Sequence, residues 1–490
     1  THLNNTRQNL DANFTLQNEL NATVDGYDDH ANETANSGAG WEPIGSSTAR
    51  FDGSFTGANL TISGLYIDRS NTDDVGLFGS TSQTATIKHM TLDEVNVTGD
   101  RRVGALAGAF SGGKIVNASA SGQVSGSGEV GGLVGTVGEG NITDSHASVK
   151  VHAEIINAGG LVGQIERGNV TDSTASGAVK TDGDTAGGLV GEFITTDAAK
   201  TYIIANSSAS GAVNAESDGG GLVGVTRKSI IRNSSASGTI VVDKGRAGGL
   251  VSQMIDGSDI IDSSAMGDVS ATESSVGGLV GRVASGLGGA PPNITDSDAS
   301  GEVTVTGGSG SSSAEYIGGL VGGVKSGSVT GSHASGDVTL VAGSGSGTFA
   351  QVGGLIGSFG TTGSGSSSFD GTLVNSSASG DVTGPKTVGG LVGVSAGSIT
   401  DSRASGDVTG NGDVSQSEIG PLGNDTFGGL VGGVVAAGTV VTSTATGDVA
   451  ARANVGGLVG VNSGSVTVSY ATGAVAADSD VGGLIGRNGG

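Results

Sequence analysis

The segment Gly131-Gly-Leu-Val-Gly135 returns down the chain, and no other feature constrains the fold as strongly. Its leucines, with Phe, Ala, Ser or Ile variants around them, are Leu77, Leu106, Leu133, Leu161, Leu189, Leu222, Leu250, Leu279, Leu320, Leu355, Leu391, Leu430, Leu458 and Leu484, fourteen copies in 490 residues. Where no insertion intervenes, the spacing is 26 to 29 residues, as from 133 to 161 and from 250 to 279. A unit this short cannot bury a core alone. It can bury one against its neighbours, so a fixed period of this size means stacked repeats.

A second segment follows every copy except the first and last, for example Asp172-Ser-Thr-Ala-Ser-Gly177 and Asp401-Ser-Arg-Ala-Ser-Gly406. It reads with period 2. Ser332, Ala334, Gly336 and Val338 share one parity, and His333, Ser335, Asp337 and Thr339 share the other. The alanine slot holds alanine in all twelve copies, whereas its neighbour varies freely: His146, Thr174, Asp298, Arg403, Tyr470. Small apolar residues alternating with unconstrained polar ones mark a half-buried strand. Ser, Ala, Gly and Val are therefore expected to point inward.

Each repeat then offers about three short strands: Val-Gly-Gly-Leu-Val-Gly, Gly-x-Ile-Thr and Ser-x-Ala-x-Gly-x-Val. Glycine (96 residues) and β-branched residues dominate and no 3.6 period persists, which argues against helix. The expected fold is all-β: a right-handed parallel β-helix, or β-solenoid, of about fourteen coils with an N-terminal cap. At roughly 4.8 Å per coil such a rod is about 65–70 Å long. The expected divisions are a cap and lead-in over 1–40, first irregular coils over 41–100, and the repeat solenoid over 101–490. Gly/Ser-rich insertions, such as residues 360–369, 307–315 and 411–426, read as solvated loops at coil corners.

The Gly-Gly-Leu-Val-Gly repeat resembles the GLUG motif of secreted bacterial and archaeal surface proteins. Gly40-Trp-Glu-Pro-Ile-Gly45, Phe51-Asp-Gly-Ser-Phe55, Leu60-Thr-Ile-Ser-Gly-Leu-Tyr-Ile67 and Val75-Gly-Leu-Phe-Gly79 resemble the lead-in that opens such arrays, and Phe14-Thr-Leu-Gln-Asn18 the segment before it. The resemblance implies architecture more than activity. The family occurs in adhesins, in other large surface proteins and in some proteins that also carry a peptidase domain. No zinc-peptidase His-Glu-x-x-His is present here.

Forty-seven acids against 22 bases leave a net charge of −25, and only nine bases are lysine. Such a surface repels nucleic acid and anionic lipid and suits solubility at high salt, the expectation for a halophilic protein. Cysteine is absent, which removes thiol chemistry and cysteine metal sites. No run of 18 apolar residues provides a transmembrane segment. Thr1 in place of an initiator methionine reads as a processed product or a fragment, with any signal peptide or anchor outside the chain. The expected location is secreted, extracellular or at the cell surface.

Asn-x-Ser/Thr sequons are dense. Candidate N-glycosylation sites are Asn4, Asn13, Asn21, Asn32, Asn59, Asn96, Asn117, Asn141, Asn169, Asn206, Asn233, Asn293, Asn375 and Asn424. A chain rich in Asn, Ser and Thr also produces sequons by chance. Asp25-Gly-Tyr-Asp28-Asp29-His30 has calcium-type ligands without the spacing of a known loop, and reads better as an exposed acidic turn. The acids of Gly-Asp-Val (Asp268, Asp337, Asp381, Asp407, Asp448) recur in register, which implies surface patterning rather than a unique site. No catalytic, cofactor-binding or metal-binding residue is singled out, and no cofactor is expected.

The function expected is that of an extracellular structural or adhesive repeat protein. It would be a cell-surface, filament, sheath or matrix component, partnered by itself in an extended assembly or by glycans and other cell-surface proteins. The alternative is a carbohydrate-binding or carbohydrate-active β-helix. An enzyme of that kind needs a non-repeating cluster of acids and aromatic platforms, and this chain has one Trp and five scattered Tyr. Two features bear on self-association. In Val352-Gly-Gly-Leu-Ile-Gly357 both parities are apolar or bare, which leaves either an outward apolar stripe or a tight arc at the glycines that turns both sets inward. The chain also stops within a copy, at Gly482-Gly-Leu-Ile-Gly486, as a truncation or a stacking end would.

Overall fold

The computed structural model describes residues 2–195, 202–272, 274–286, 289–307, 314–341, 349–360, 371–411 and 425–489. It divides into two compact units, Thr1–Gly238 and Thr239–Gly490. In the first, one full coil runs through Asn157–Gly159, Val162–Ile165, Gly168–Thr171, Thr174–Ala175 and Val179–Thr181. Each strand pairs in parallel with its counterpart one repeat on: Ala158 with Ala186, Val162 with Val190, Val170 with Ile204, Ala175 with Ala209 and Val179 with Val213.

The second unit repeats the plan. Thr387–Gly389, Val392–Ser395, Ser398–Thr400, Arg403–Ala404 and Val408–Gly410 make one of its coils. Their partners include Val388 with Phe427, Val392 with Val431, Ile399 with Val440, Ala404 with Ala445 and Val408 with Val449. The fold of each unit is an all-β parallel solenoid in which like residue lies on like.

These two coils each have five strands where periodicity alone suggests three, because the corners cut the runs. The Val352–Gly357 run shows how. Strand Phe349–Gly353 ends, the chain bends at Gly354 and Leu355, and strand Ile356–Phe359 begins in a different sheet. Val352, Leu355 and Ile356 are all fully buried. Among the described residues the tight arc therefore turns both sets inward and leaves no outward apolar stripe, save at the last copy, where Val481 and Leu484 are exposed. Glycine is required for this arc. A Cβ on Gly353 would lie 2.0 Å from the Ile356 carbonyl oxygen, and one on Gly354 would lie 2.1 Å from that of Gly390. At the bend, the N–H groups of Leu320 and Val321 both donate to the Leu355 carbonyl, at 2.9 Å each.

A second corner precedes the inward serine. Asp144, Asp172, Asn206, Asn233, Asp262, Asp296, Asn375 and Asp401 all sit there with φ between 46° and 53°. The left-handed region is cheapest for Gly, Asn and Asp, which explains the Asp/Asn-Ser pairs of the repeat. Beyond the corner, Ser332, Ala334 and Val338 are buried while His333, Ser335 and Asp337 are exposed.

The amino-terminal segment joins the stack early. Phe14–Thr15 pairs in parallel with Phe55 and Thr56, which pair with Ile87 and Lys88. Phe55 is followed in register by Ile87 and Phe78 by Ala107, so the interior of the first coils is more aromatic at these slots. Phe51 lies 5.0 Å from Phe78 between ring centroids, Phe55 lies 5.4 Å from Phe78, and Phe14 touches both Phe51 and Phe55 at 6.4 Å. Trp41 is buried and donates its indole N–H to the Leu77 carbonyl at 3.0 Å, with the Arg7 guanidinium 4.4 Å above its ring.

Candidate functional site

Because the interior slots are filled by small residues in strict register, the chemistry available to a partner lies in the outward columns. The freely varying slot of the alanine strand is one of them. His146 Nδ1 meets Thr174 Oγ1 at 2.8 Å and His333 Nδ1 meets Ser377 Oγ at 2.9 Å, each pair spanning adjacent coils on the exposed face.

The Gly-Asp-Val acids form a second column with a backbone role that periodicity did not reveal. Asp337 accepts the backbone N–H of Asp381 at 2.8 Å, Asp381 that of Asp407 at 2.8 Å, Asp407 that of Asp448 at 2.8 Å, and Asp448 that of Ala474 at 2.7 Å. Asp268 accepts from Glu302 in the same way at 2.9 Å. One carboxylate oxygen of each is thus spent on satisfying the coil above.

The candidate sequons fall into three structural groups. Asn117, Asn206, Asn233 and Asn375 occupy the exposed left-handed corner. Asn141, Asn169 and Asn293 lie half-buried in the strand before it, with their amides engaged: Asn169 Nδ2 donates to Asn141 Oδ1 at 2.7 Å, and Asn293 Nδ2 to Asp259 Oδ1 at 3.2 Å. The rest lie in the first coils. Asn21 and Asn32 each accept from the backbone N–H of the threonine two residues on, at 2.9 Å, and from its hydroxyl at 2.7 and 2.9 Å. Asn13 accepts from the Ser54 N–H at 3.0 Å, Asn4 from Arg7, and Asn96 from Gln123 at 3.0 Å, while Asn59 is exposed at φ 60°. Asn424 lies outside the described residues.

In the 25–30 turn the three aspartates are exposed, and Asn32 Nδ2 donates to Asp28 Oδ1 at 2.9 Å. Among the described residues no three metal-ligating side chains converge. Beneath the turn lies a cavity of about 470 Å³, lined by Leu16, Leu20, Tyr27, Trp41, Phe55 and Ile62 among others. Tyr27 donates its hydroxyl to the Ser63 carbonyl at 2.5 Å, and burial, reinforced by Asp28, pushes its pKa up to about 12.

The GLUG motif model matches residues 126–151, 156–180, 313–339 and 384–409. The chain carries GLUG repeats. Each matched segment spans the glycine arc, and its remaining core positions are the left-handed corner and the alanine strand. A stretch of 124 residues, 25% of this chain, is 36% identical to halomucin of Haloquadratum walsbyi. Another of 113 residues, 23% of the chain, is 32% identical to a protein of Evansella cellulosilytica named as a Gly-rich membrane protein. These matches span only 1% and 12% of the lengths of those relatives. No solved structure matches the chain. The GLUG repeats, and the likeness of two quarter-length stretches to these relatives, mark a repeat protein.

Proposed function

We propose that this GLUG-repeat chain is an extracellular structural and adhesive element of a cell surface, which works by presenting long, repeating polar columns to copies of itself or to surface glycans, and that it catalyses no reaction. The observation that carries this reading is the acid column: Asp337, Asp381, Asp407 and Asp448 recur in register and each is engaged by the next coil. An active site needs a few groups freed from such regularity and made unlike their neighbours. The halomucin likeness and the net charge of −25 add support for an exposed location in brine. Loss of the apolar stripe moves any self-association onto polar faces, where contacts are weaker and salt-sensitive.

The test is electron microscopy and light scattering of the purified native protein across a salt series, with binding to whole cells of the source organism scored in parallel. Concentration-dependent extended assemblies, or saturable cell binding, are expected. A protein that stays monomeric at high concentration and native salt and binds no cells overturns the proposal, as does measurable depolymerisation of a polysaccharide.

A further inference from the structure

One slot of the coil, two residues after the valine of the glycine arc, points outward beside the neighbouring short strand. In the first unit this slot holds an acid that is well served. Glu192 accepts from Gln164 Nε2 at 2.6 Å, from the preceding coil, and from Asn157 Nδ2 at 3.0 Å. Gln164 and Glu192 are register partners. In the second unit the same slot reads Gln253, Arg282, Gly323, Ser358, again as register partners. Here the charge is positive and nothing answers it. The Nε of Arg282 is buried without a hydrogen-bond acceptor.

Four further residues shape the place. Gly323 leaves the slot next to Arg282 without a side chain. The Tyr316 ring, from strand Ala314–Gly318, packs into that space, 3.2 Å from where a Gly323 Cβ would be. Lys325 lies two residues beyond Gly323, and Arg246 precedes the short strand Ala247–Gly248. The groups that bear on Arg282 are Arg246 and Tyr316, and the one that bears on Lys325 is Arg282. Burial foremost, then a neighbouring cation, lowers the pKa of both Arg282 and Lys325. Among the described residues neither makes an ion pair within 4.0 Å. In a chain with 47 acids and 22 bases, a half-buried Arg282 and an exposed Lys325 on adjacent coils, neither with an ion pair among the described residues, are the reverse of what charge statistics would place there.

We propose that Arg282 and Lys325, on adjacent coils beside Tyr316, form a binding site for a tetrahedral oxyanion, sulfate or phosphate, taken up free or as an ester on a saccharide. A buried guanidinium donor without an acceptor is costly, and an oxyanion is the group whose geometry and charge satisfy it. The tyrosine ring beside Arg282 provides an apolar wall on which the carrier of an ester can rest. The inference is independent of the attachment reading: the site can hold an ion in a monomer that adheres to nothing.

Titration calorimetry on the full chain, with chloride as the background anion, tests it. Inorganic sulfate, inorganic phosphate and glucose 6-sulfate are the three probes. Saturable binding of one equivalent of at least one probe is expected, and it should weaken about tenfold or more in Arg282→Gln and in Lys325→Gln. Arg403→Gln, in the exposed column of the alanine strand, should leave it unchanged. Binding of the ester alone assigns the saccharide-borne source, and binding of the free ions assigns the simple ion. Absence of saturable binding of every probe, or equal affinity in wild type and Lys325→Gln, overturns the site. Lys325 is the more exposed of the pair, so its variant keeps the test decisive even where Arg282→Gln fails to fold.

Discussion

Ser297 donates its backbone N–H to the hydroxyl oxygen of Ser332, 3.2 Å away in the adjacent coil, while the Ser332 hydroxyl donates to the Thr330 carbonyl of its own coil at 3.0 Å. Ser332 then donates to Ser376, Ser376 to Ser402, and Ser402 to Ser443 in the same manner. The ladder supplies an acceptor where the left-handed corner has turned the backbone carbonyls aside. Ser332→Ala removes one rung and orphans the buried Ser297 N–H, at a cost of about 1–3 kcal/mol. Ser335→Ala, on the exposed face, should stay within about 0.5 kcal/mol. Hydrogen exchange at Ser297 reads the local effect without assuming that the whole repeat array unfolds in one step.

The alanine column gives a packing test. Ala334 is 2% exposed, and its Cβ lies 3.1 Å from where a Cβ on Gly319 would stand. Ala334→Leu has no room to expand into and should cost on the order of 1–3 kcal/mol in denaturant unfolding. His333→Ala, one residue away and outward, should cost less than about 0.5 kcal/mol. Equal losses would reverse the assignment of faces.

Val468 holds the left-handed corner in the last described coil, at φ 51° and 79% exposed, where most other coils place Asp, Asn or Gly. A β-branched residue gains nothing there to offset the strain. Val468→Asn is expected to stabilise that coil by about 1 kcal/mol, seen as slower amide exchange over residues 465–476. Unchanged exchange would show that the corner carries no such strain.

Tyr27 gives the cap an alkaline sensitivity. Its folded pKa, about 12, lies above the ordinary phenol value of 10.0, because burial and then the neighbouring Asp28 charge favour the neutral form. A raised folded pKa means the contribution is complete below the ordinary value and is lost as pH rises through about 12. Thermal unfolding of wild type and Tyr27→Phe between pH 9 and pH 12 should therefore converge as pH rises, relative to their separation near neutrality. A constant difference across that window would place the hydroxyl in solvent.

The alanine strand was legible because alternation is a local property: one parity must be small, the other is unconstrained, and His333 and Ala334 fall on the sides that parity assigns. The parallel solenoid follows from the period, since a short unit has no stable option except to stack, whereas the GLUG motif was legible as a resemblance of the Gly-Gly-Leu-Val-Gly segment. The Val352–Gly357 run was ambiguous for an equally physical reason. Both parities are apolar, and a strand and a glycine arc bury the same residues in different ways. The close approach of Gly353 to the Ile356 carbonyl, which only a missing Cβ permits, selects the arc. Periodicity likewise placed Asp337 on the surface but not its bond to the Asp381 N–H, which exists only because coils 44 residues apart in sequence are neighbours in space. Arg282 is the extreme case. Nothing in its own segment marks it, and its unanswered charge appears only when Gly323, Tyr316 and Lys325 are brought beside it by stacking. Which residues face inward is written along the chain, residue by residue; which side chains become neighbours is set by coil register and insertion length, and those act only in three dimensions.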